Sequence, residues 1–435
     1  MAKSKAPSKV VSFLKARLPF VGGALAVSLF LAWALWSSAN LGFSMSTPMR
    51  SEAKNVSATY CTIDAKQQYD PPEETFYDDP RLSYSIEERV KNWDEKRREW
   101  LKHHPSFNAG VSDRIFVLTG SQPSPCYNPT GDYLHLKLFK NKVDYCRIHG
   151  YGIFYNNAIL HPKMPSYWAK TPLLRAAMTA HPEAEWILWV DSDAVFTDME
   201  FKLPLDRYKN HNLVVDGWPD LIYEKRSWIG LNAGVLLFRN CQWSMDFMDD
   251  WASMGPQSPD YEKWGQVLKS TLKDKTYPIS DDQSALVYLL LKQEYISGKK
   301  IYLENEYCFQ CYWARVVNQL DDVTEKYVEI EKRESRLRRR HAEVVSESYG
   351  ALREQYLQEA WYGKETGRKP FITHFTGCQP CSGDHNPKYA GDSCHDGMAR
   401  ALNFADNQVL RNYGFVHSYL NSSSVTAVPF DSPGM

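Results

Sequence analysis

The chain has 435 residues, 43% of them hydrophobic and 24% charged, enough to bury one large core with accessories. A formal net charge of −1 excludes a global field that would draw the protein to nucleic acid. Aromatic residues reach 14%, a content that serves sugar-binding surfaces and large cores alike.

Residues 1–19 carry Lys3, Lys5, Lys9, Lys15 and Arg17 ahead of an uncharged apolar run over 20–36. That run is at the short end of what spans a bilayer. The basic flank predicts a cytosolic tail over 1–19, a single transmembrane signal anchor over 20–36 and the remainder in a lumen. A cleaved signal peptide is the alternative, but the long polar N-terminal region and the lack of a small-x-small cleavage site argue against it. Lumenal residence would permit disulfides among the nine cysteines, whose pairing spacing does not reveal. The pairs Cys308/Cys311 and Cys378/Cys381 would suit zinc in a reducing compartment and do so poorly in a lumen. Asn55 and Asn421 head glycosylation sequons, whereas Asn128 is excluded by Pro129.

Residues 37–105 read as a stem, rich in Ser, Pro and acidic clusters, with a charged helix from Ile86 to His104. From Arg114 strands and helices alternate. Arg114–Gly120 is a strand ending in a loop where Gly120 lets backbone approach a nucleotide. Tyr133–His149 is a helix, Gly152–Asn156 a strand, Tyr167–Ala180 a helix and Glu185–Asp191 a third strand. This order predicts an α/β fold with a parallel sheet, right-handed crossovers and ligands at the carboxyl ends of the strands.

The third strand carries the most informative residues. Trp186–Val190 is continuously apolar, as in a fully buried strand, and runs into Asp191-Ser192-Asp193. Alternation along an extended chain would point both carboxylates to one side. Two like charges at the end of a buried strand are costly unless a cation neutralises them, and carboxylates with phosphate oxygens suit Mg²⁺ or Mn²⁺. A surface turn or helix-cap pair is the alternative.

Asn212–Val215 and Gly234–Phe238 read as later strands. Asp281, Asp282 and Gln283 open a helix, where the carboxylates can simply be caps. Residues 322–360 form a long charged helical insertion whose basic run, Arg336 to Arg340, reads as an exposed face. Phe371–Phe375 is a short strand, and 419–435 a polar tail.

Taken together, Trp189–Ala194, Phe196–Asp198, Arg207–Lys209, Gly217–Trp218, Leu231–Gly234, Arg239–Trp243, Asp281–Gln283 and Thr373–Phe375 resemble a plant transferase family. That family, glycosyltransferase family 34, places α-1,6 sugars on β-1,4 backbones and holds xyloglucan xylosyltransferases and galactomannan galactosyltransferases. The resemblance spans about residues 106–417, within a catalytic domain read over 106–418. Ser121–Asn128, His181–Trp186, Leu337–Glu343 and Cys378–Asn386 are similar to the galactomannan branch. The family implies a GT-A (Rossmann-like) domain, a UDP-sugar donor, Mn²⁺ and retention at the anomeric carbon. Carried over by position, Asp191, Asp193 and His374 are the metal ligands. Asp281, Asp282 and Gln283 are the catalytic floor under donor sugar and acceptor. Gly120, Lys170, Asp191, Ser192 and Asn232 form the donor-binding set, with Lys170 near the phosphates. Where the xylosyl branch has Lys this chain has Gln379, which takes a positive charge from the phosphate neighbourhood.

Such a reaction needs charge neutralisation on the leaving diphosphate, support for an oxocarbenium-like carbon and a base for the acceptor hydroxyl. The departing phosphate itself, or Asp281 or Asp282 as covalent nucleophile, are the rival routes. The expectation is a Golgi-membrane, single-pass type II galactosyltransferase using UDP-galactose on β-1,4-mannan or glucomannan, alone, as a homodimer or with a mannan synthase. A UDP-xylose-dependent xyloglucan enzyme and a non-catalytic scaffold subunit are the alternatives.

Overall fold

The computed structural model describes residues 75–432, except 83–87, 109, 111–112, 293–294, 296–298 and 361–366. The readings on the cytosolic tail, the 20–36 anchor, Asn55 and the stem up to residue 74 lie outside the described residues. No described helix is long and apolar enough to cross a membrane.

A mixed six-stranded sheet organises the molecule, in the order β2-β1-β3-β6-β5-β7. The strands are β1 (Ile115–Gly120), β2 (Gly152–Asn156), β3 (Trp186–Val190), β5 (Leu213–Gly217), β6 (Leu231–Arg239) and β7 (Ile301–Glu304). β1 runs parallel to β2 and β3, and β5 parallel to β7, as βαβ patterning predicts. β6 is antiparallel to both neighbours, β3 and β5. Reversing this one strand brings its N-terminal end, with Asn232, to the edge where β1, β3, β5 and β7 present their C-termini. A second sheet stands beside that edge: β4 (Ala194–Phe196), β9 (Ile372–His374) and β8 (Cys311–Tyr312).

The central strands are apolar without alternation because both faces are covered. Val117, Leu188, Val190, Val214, Val235 and Leu237 belong to one core and Leu118, Ile187, Trp189, Val215, Leu236 and Phe238 to the other. The first face is covered by α2 (Pro129–His149), through Leu134, Leu138 and Tyr145, and by a C-terminal helix over Ser393–Leu410. α2 starts where Asn128 accepts a 2.7 Å hydrogen bond from the Gly131 amide ahead of Pro129, and stops at Gly150, whose φ of 69° is the left-handed helix end. The second face is covered by α1 (Trp93–His103), α3 (Lys170–Ala180), α4 (Gln242–Ala252), α5 (Tyr261–Thr271) and α6 (Asp282–Leu290).

Three readings change. The described end of the stem packs on the domain: Trp93 is fully buried and its indole donates to Asn240 Oδ1 at 2.7 Å, because the thin apolar stripe of this helix is anchored by an aromatic ring. The charged insertion is not one solvated helix. It comprises α7 (Leu320–Arg333) and α8 (Ser346–Glu359), clamped on a small core of Ile330, Leu337 and Leu357. Its basic run is partly spent inside the protein: the Arg340 amide donates to Phe430 O at 3.0 Å and its guanidinium to Val428 O at 3.1 Å. The C-terminal tail accordingly lies along the insertion and includes a strand, Val425–Ala427, paired with Phe415–His417. α9 denotes the helix over Ser393–Leu410, from which Arg411 follows to donate to Glu331 Oε2 at 2.8 Å.

Among the described cysteines, Cys308 bonds Cys311, Cys378 bonds Cys394 and Cys126 bonds Cys381, so neither Cys-x-x-Cys pair is left as a set of free thiols for zinc. Cys146 and Cys241 are free.

Candidate active site

After Val190 the chain leaves the main sheet in a turn, closed by Ala194 N donating to Asp191 O at 3.1 Å, and continues as β4. Asp191 and Asp193 therefore straddle a turn and do not alternate along one extended strand. They converge for another reason. β9 pairs with β4 in the register Ala194↔His374, which brings the imidazole alongside. His374 Nε2 is 3.2 Å from Asp193 Oδ1 and 3.9 Å from Asp191 Oδ2. One ligand atom from each residue falls within 4.8 Å of the others.

The imidazole is oriented from behind. His374 Nδ1 is 3.0 Å from Gln310 Oε1, and Gln310 Nε2 donates to Asn232 O at 2.7 Å. The second contact fixes the amide, so its oxygen accepts Nδ1–H and Nε2 is the nitrogen turned to the carboxylates. Burial works against a charged His374, but Asp193 and Asp191 outweigh it and hold its pKa above the ordinary value. Two carboxylate oxygens and an imidazole that draw in a proton this way fit a Mn²⁺-type divalent cation, which would take the proton's place. Gly234 makes the fit possible: a Cβ there would collide with the His374 ring. A glycine inside an apolar strand run was the available signal for that close approach.

Two buried lysines brace the turn. Lys142, on α2, donates to Ser192 O at 3.0 Å and Ala194 O at 2.7 Å, and burial brings its pKa down to about 8. Lys170 lies 2.6 Å from Asp282 Oδ2 and 3.4 Å from Asp191 Oδ1, and donates to Ala233 O at 2.8 Å. With three protein acceptors, Lys170 bridges the Asp191 corner to the Asp282 corner. Nothing in the sequence marked Lys142 or Gln310 as special.

Asp281 and Asp282 have separate tasks. Asp281 caps α6, accepting from the Ser284 amide at 2.8 Å, the Ser284 hydroxyl at 2.7 Å, the Tyr277 hydroxyl at 3.2 Å and the Lys275 ammonium. The capping reading holds for it, and its committed oxygens make it a poor nucleophile. Asp282 is buried, and burial, opposed by Lys170, raises its carboxyl to about 6. Gln283 ties backbone together, accepting from Ala233 N at 3.2 Å and donating to Trp228 O at 3.0 Å. Asn232 Oδ1 accepts from Gly234 N at 2.8 Å. Gly120 ends β1 on the same sheet edge, and its missing side chain is demanded by Asn156 of β2, into whose carbonyl a Cβ would run.

The family model described as the galactosyl transferase GMA12/MNN10 family matches residues 111–385. The chain belongs to this family. It is accordingly a glycosyltransferase. Galactomannan galactosyltransferase 1 of Cyamopsis tetragonoloba is a 59% identical relative, aligned over 90% of this chain and 88% of its own. Glycosyltransferase 6 of Arabidopsis thaliana is 58% identical over 95% and 94% of the two chains. A probable xyloglucan 6-xylosyltransferase 3 of the same plant is 43% identical over 84% and 72%. Among solved structures, the galactosyltransferase LgtC in complex with donor and acceptor sugar analogs is similar at a TM-score of 0.31 and 11% identity, over 67% of this chain and 95% of that one.

Proposed function

We propose that this family member is a retaining, Mn²⁺-dependent GT-A enzyme that moves α-galactose from UDP-galactose to the 6-hydroxyl of mannosyl residues in β-1,4-mannan or glucomannan. The observation that carries the reading is the convergence of Asp191, Asp193 and His374 beside the Lys170–Asp282 pair at one sheet edge. The galactosyl choice rests on the higher identity to the relative named a galactomannan galactosyltransferase, 59%, than to the one named a xylosyltransferase, 43%.

In this reading Asp191, Asp193 and His374 would hold the cation, which would supply positive charge against the departing diphosphate. Lys170 keeps Asp191 and Asp282 at fixed separation. Asp282 sits against the developing positive charge at the anomeric carbon, while Asp281 holds the helix end still. The acceptor proton leaves with the diphosphate oxygen on the same face.

A lumenal, type II placement in the Golgi membrane accords with the apolar 20–36 run and the three disulfides, which persist in oxidising compartments. Protease added to sealed vesicles should spare the catalytic domain, and its digestion would overturn that placement.

The functional test is a matrix of UDP-galactose and UDP-xylose against mannohexaose and cellohexaose. A site that hydrogen-bonds the hexose C6 hydroxyl leaves polar groups unpaired with xylose, so UDP-galactose should lead by at least about 10-fold in kcat/KM on mannohexaose. Equal or inverted rates would replace galactosyl by xylosyl transfer. No transfer from either donor by protein free of partners would favour a scaffold.

A further inference from the structure

The segment joining β5 to β6, residues 218–230, is a folded loop with aromatic side chains and an exposed tip. Trp218 and Tyr223 are 41% and 39% exposed, and Ile229 is 56% exposed. Such surface on a loop beside a catalytic edge asks for an explanation.

The loop is held to the approach of α6 by a set of hydrogen bonds. Asp274 accepts from the Trp228 amide at 2.7 Å and from the Ser227 hydroxyl. Lys273 N donates to Arg226 O at 3.0 Å. From the other side, Gln283 donates to the Trp228 carbonyl at 3.0 Å. Both backbone groups of Trp228 are thus fixed, while its side chain remains part-exposed. Its indole meets the Tyr277 ring edge-to-face, with centroids 6.0 Å apart and planes at 80°. Tyr277 is itself oriented by its hydroxyl on Asp281, and the Lys275 ammonium sits 3.6 Å from its ring centre. Lys275 and Asp281 neutralise each other beneath the Tyr277 ring, so no net charge stands directly behind the two rings.

We propose that Trp228, backed by Tyr277, is the platform on which the acceptor's pyranose ring lies, and that Asp281, Gln283 and Asp274 are positioning residues that hold it. The ligand class is an uncharged β-1,4-linked hexopyranose chain, whose axial C–H faces stack on aromatic rings while its hydroxyls reach the neighbouring polar groups. The inference rests on the polysaccharide-acceptor reading above. It adds a residue whose contribution is to acceptor binding and register, not to donor activation.

The test compares Trp228→Ala and Trp228→Phe for acceptor KM, donor KM and kcat on the best acceptor of the matrix, with thermal melts confirming the fold. Trp228→Ala should raise acceptor KM about 10-fold or more, Trp228→Phe less than about 3-fold, and donor KM should move less than about 3-fold in both. A folded Trp228→Ala protein with acceptor KM within about 2-fold of the parent overturns the platform. If Trp228→Ala does not fold, Trp228→Leu, which fills space without a ring face, is judged by the same criterion. Calorimetric titration of the parent with mannohexaose and cellohexaose in the presence of UDP separates the two claims. Binding of either without galactosyl transfer sinks the functional reading alone. Binding of neither sinks the platform.

Discussion

The two halves of the active site are built by different means. The metal corner is fixed by strand register: β3 against β6, and β4 against β9, place Asp191, Asp193 and His374 with little freedom. The proposed acceptor corner is fixed by side chains that grip a loop, through Asp274, Gln283 and Asp281. Register tolerates no drift, because a slip of one residue turns every side chain to the opposite face. A gripped loop can change its exposed residues while its anchors remain. The first construction suits chemistry common to a family, the second suits choice of acceptor.

The strongest way to break this comparison is Gly234→Ala. The added methyl must displace the His374 ring, and transfer should fall by at least about 100-fold while a melt shows a folded protein. Retained Mn²⁺ affinity in that variant, read from the free-ion resonance signal, would show that the corner is not register-locked. Next in size, Gln310→Leu removes the acceptor of His374 Nδ1–H and should weaken Mn²⁺ binding about 10- to 100-fold. Gln310→Glu keeps an acceptor there and should bind Mn²⁺ nearly as the parent does. Equal losses in both would mean that the amide serves β6, through Asn232, and not the imidazole.

A third region sharpens the contrast by standing outside both corners. Arg353 pairs with Glu200 and lies 3.0 Å from Glu331, joining the insertion to the domain. Arg353→Met leaves Glu200 to Lys369 and Glu331 to Arg411, each at about 3 Å, and should cost about 1–3 kcal/mol of stability, with both substrate KM values unmoved. A shift in acceptor KM would show that the insertion reaches the acceptor corner. The smallest effect is in acid. Burial works to raise the Glu200 carboxyl, but Arg353 and Lys369 prevail and hold it at about 2, below its ordinary 4.5. Its contribution is therefore in place above pH 4.5 and lost as pH falls through about 2. The stability gap between the parent and Glu200→Gln should narrow over that window in pH-dependent melts.

The same contrast explains what the sequence made legible. β1, β2, β3, the cores of β5 and β6 and the helix opened at Asp281 and Asp282 all carry local signals, apolar runs and a cap, whereas the first turn of α2 was missed although Asn128 and Pro129 mark it. Asp191 and Asp193 announced themselves because paired carboxylates after a buried strand have no cheap structural use. The reversal of β6 could not be read, since a strand buried on both faces looks the same in either direction. Lys142, Gln310 and Trp228 stayed hidden for a related reason. Each acts through a partner far away in sequence, Ser192, His374 and Gln283 respectively, and none sits in a spacing that repeats. His374 was reached through resemblance, not residue chemistry, because a single histidine at a strand end is ambiguous.

The Cys126–Cys381 bond, spanning 255 residues of sequence, gives the protein a timetable. During synthesis the strand that ends in Asp191 emerges long before β9, and the cysteine near the start of α2 waits for a partner beyond His374. The covalent closure thus waits for the same late segment that carries His374. A chain cut short of that point carries the aspartates, the lysines beneath them and most of the sheet, yet has neither its staple nor its imidazole. Shortened products would be expected to read as family members by their motifs while lacking the imidazole that we propose as a cation ligand.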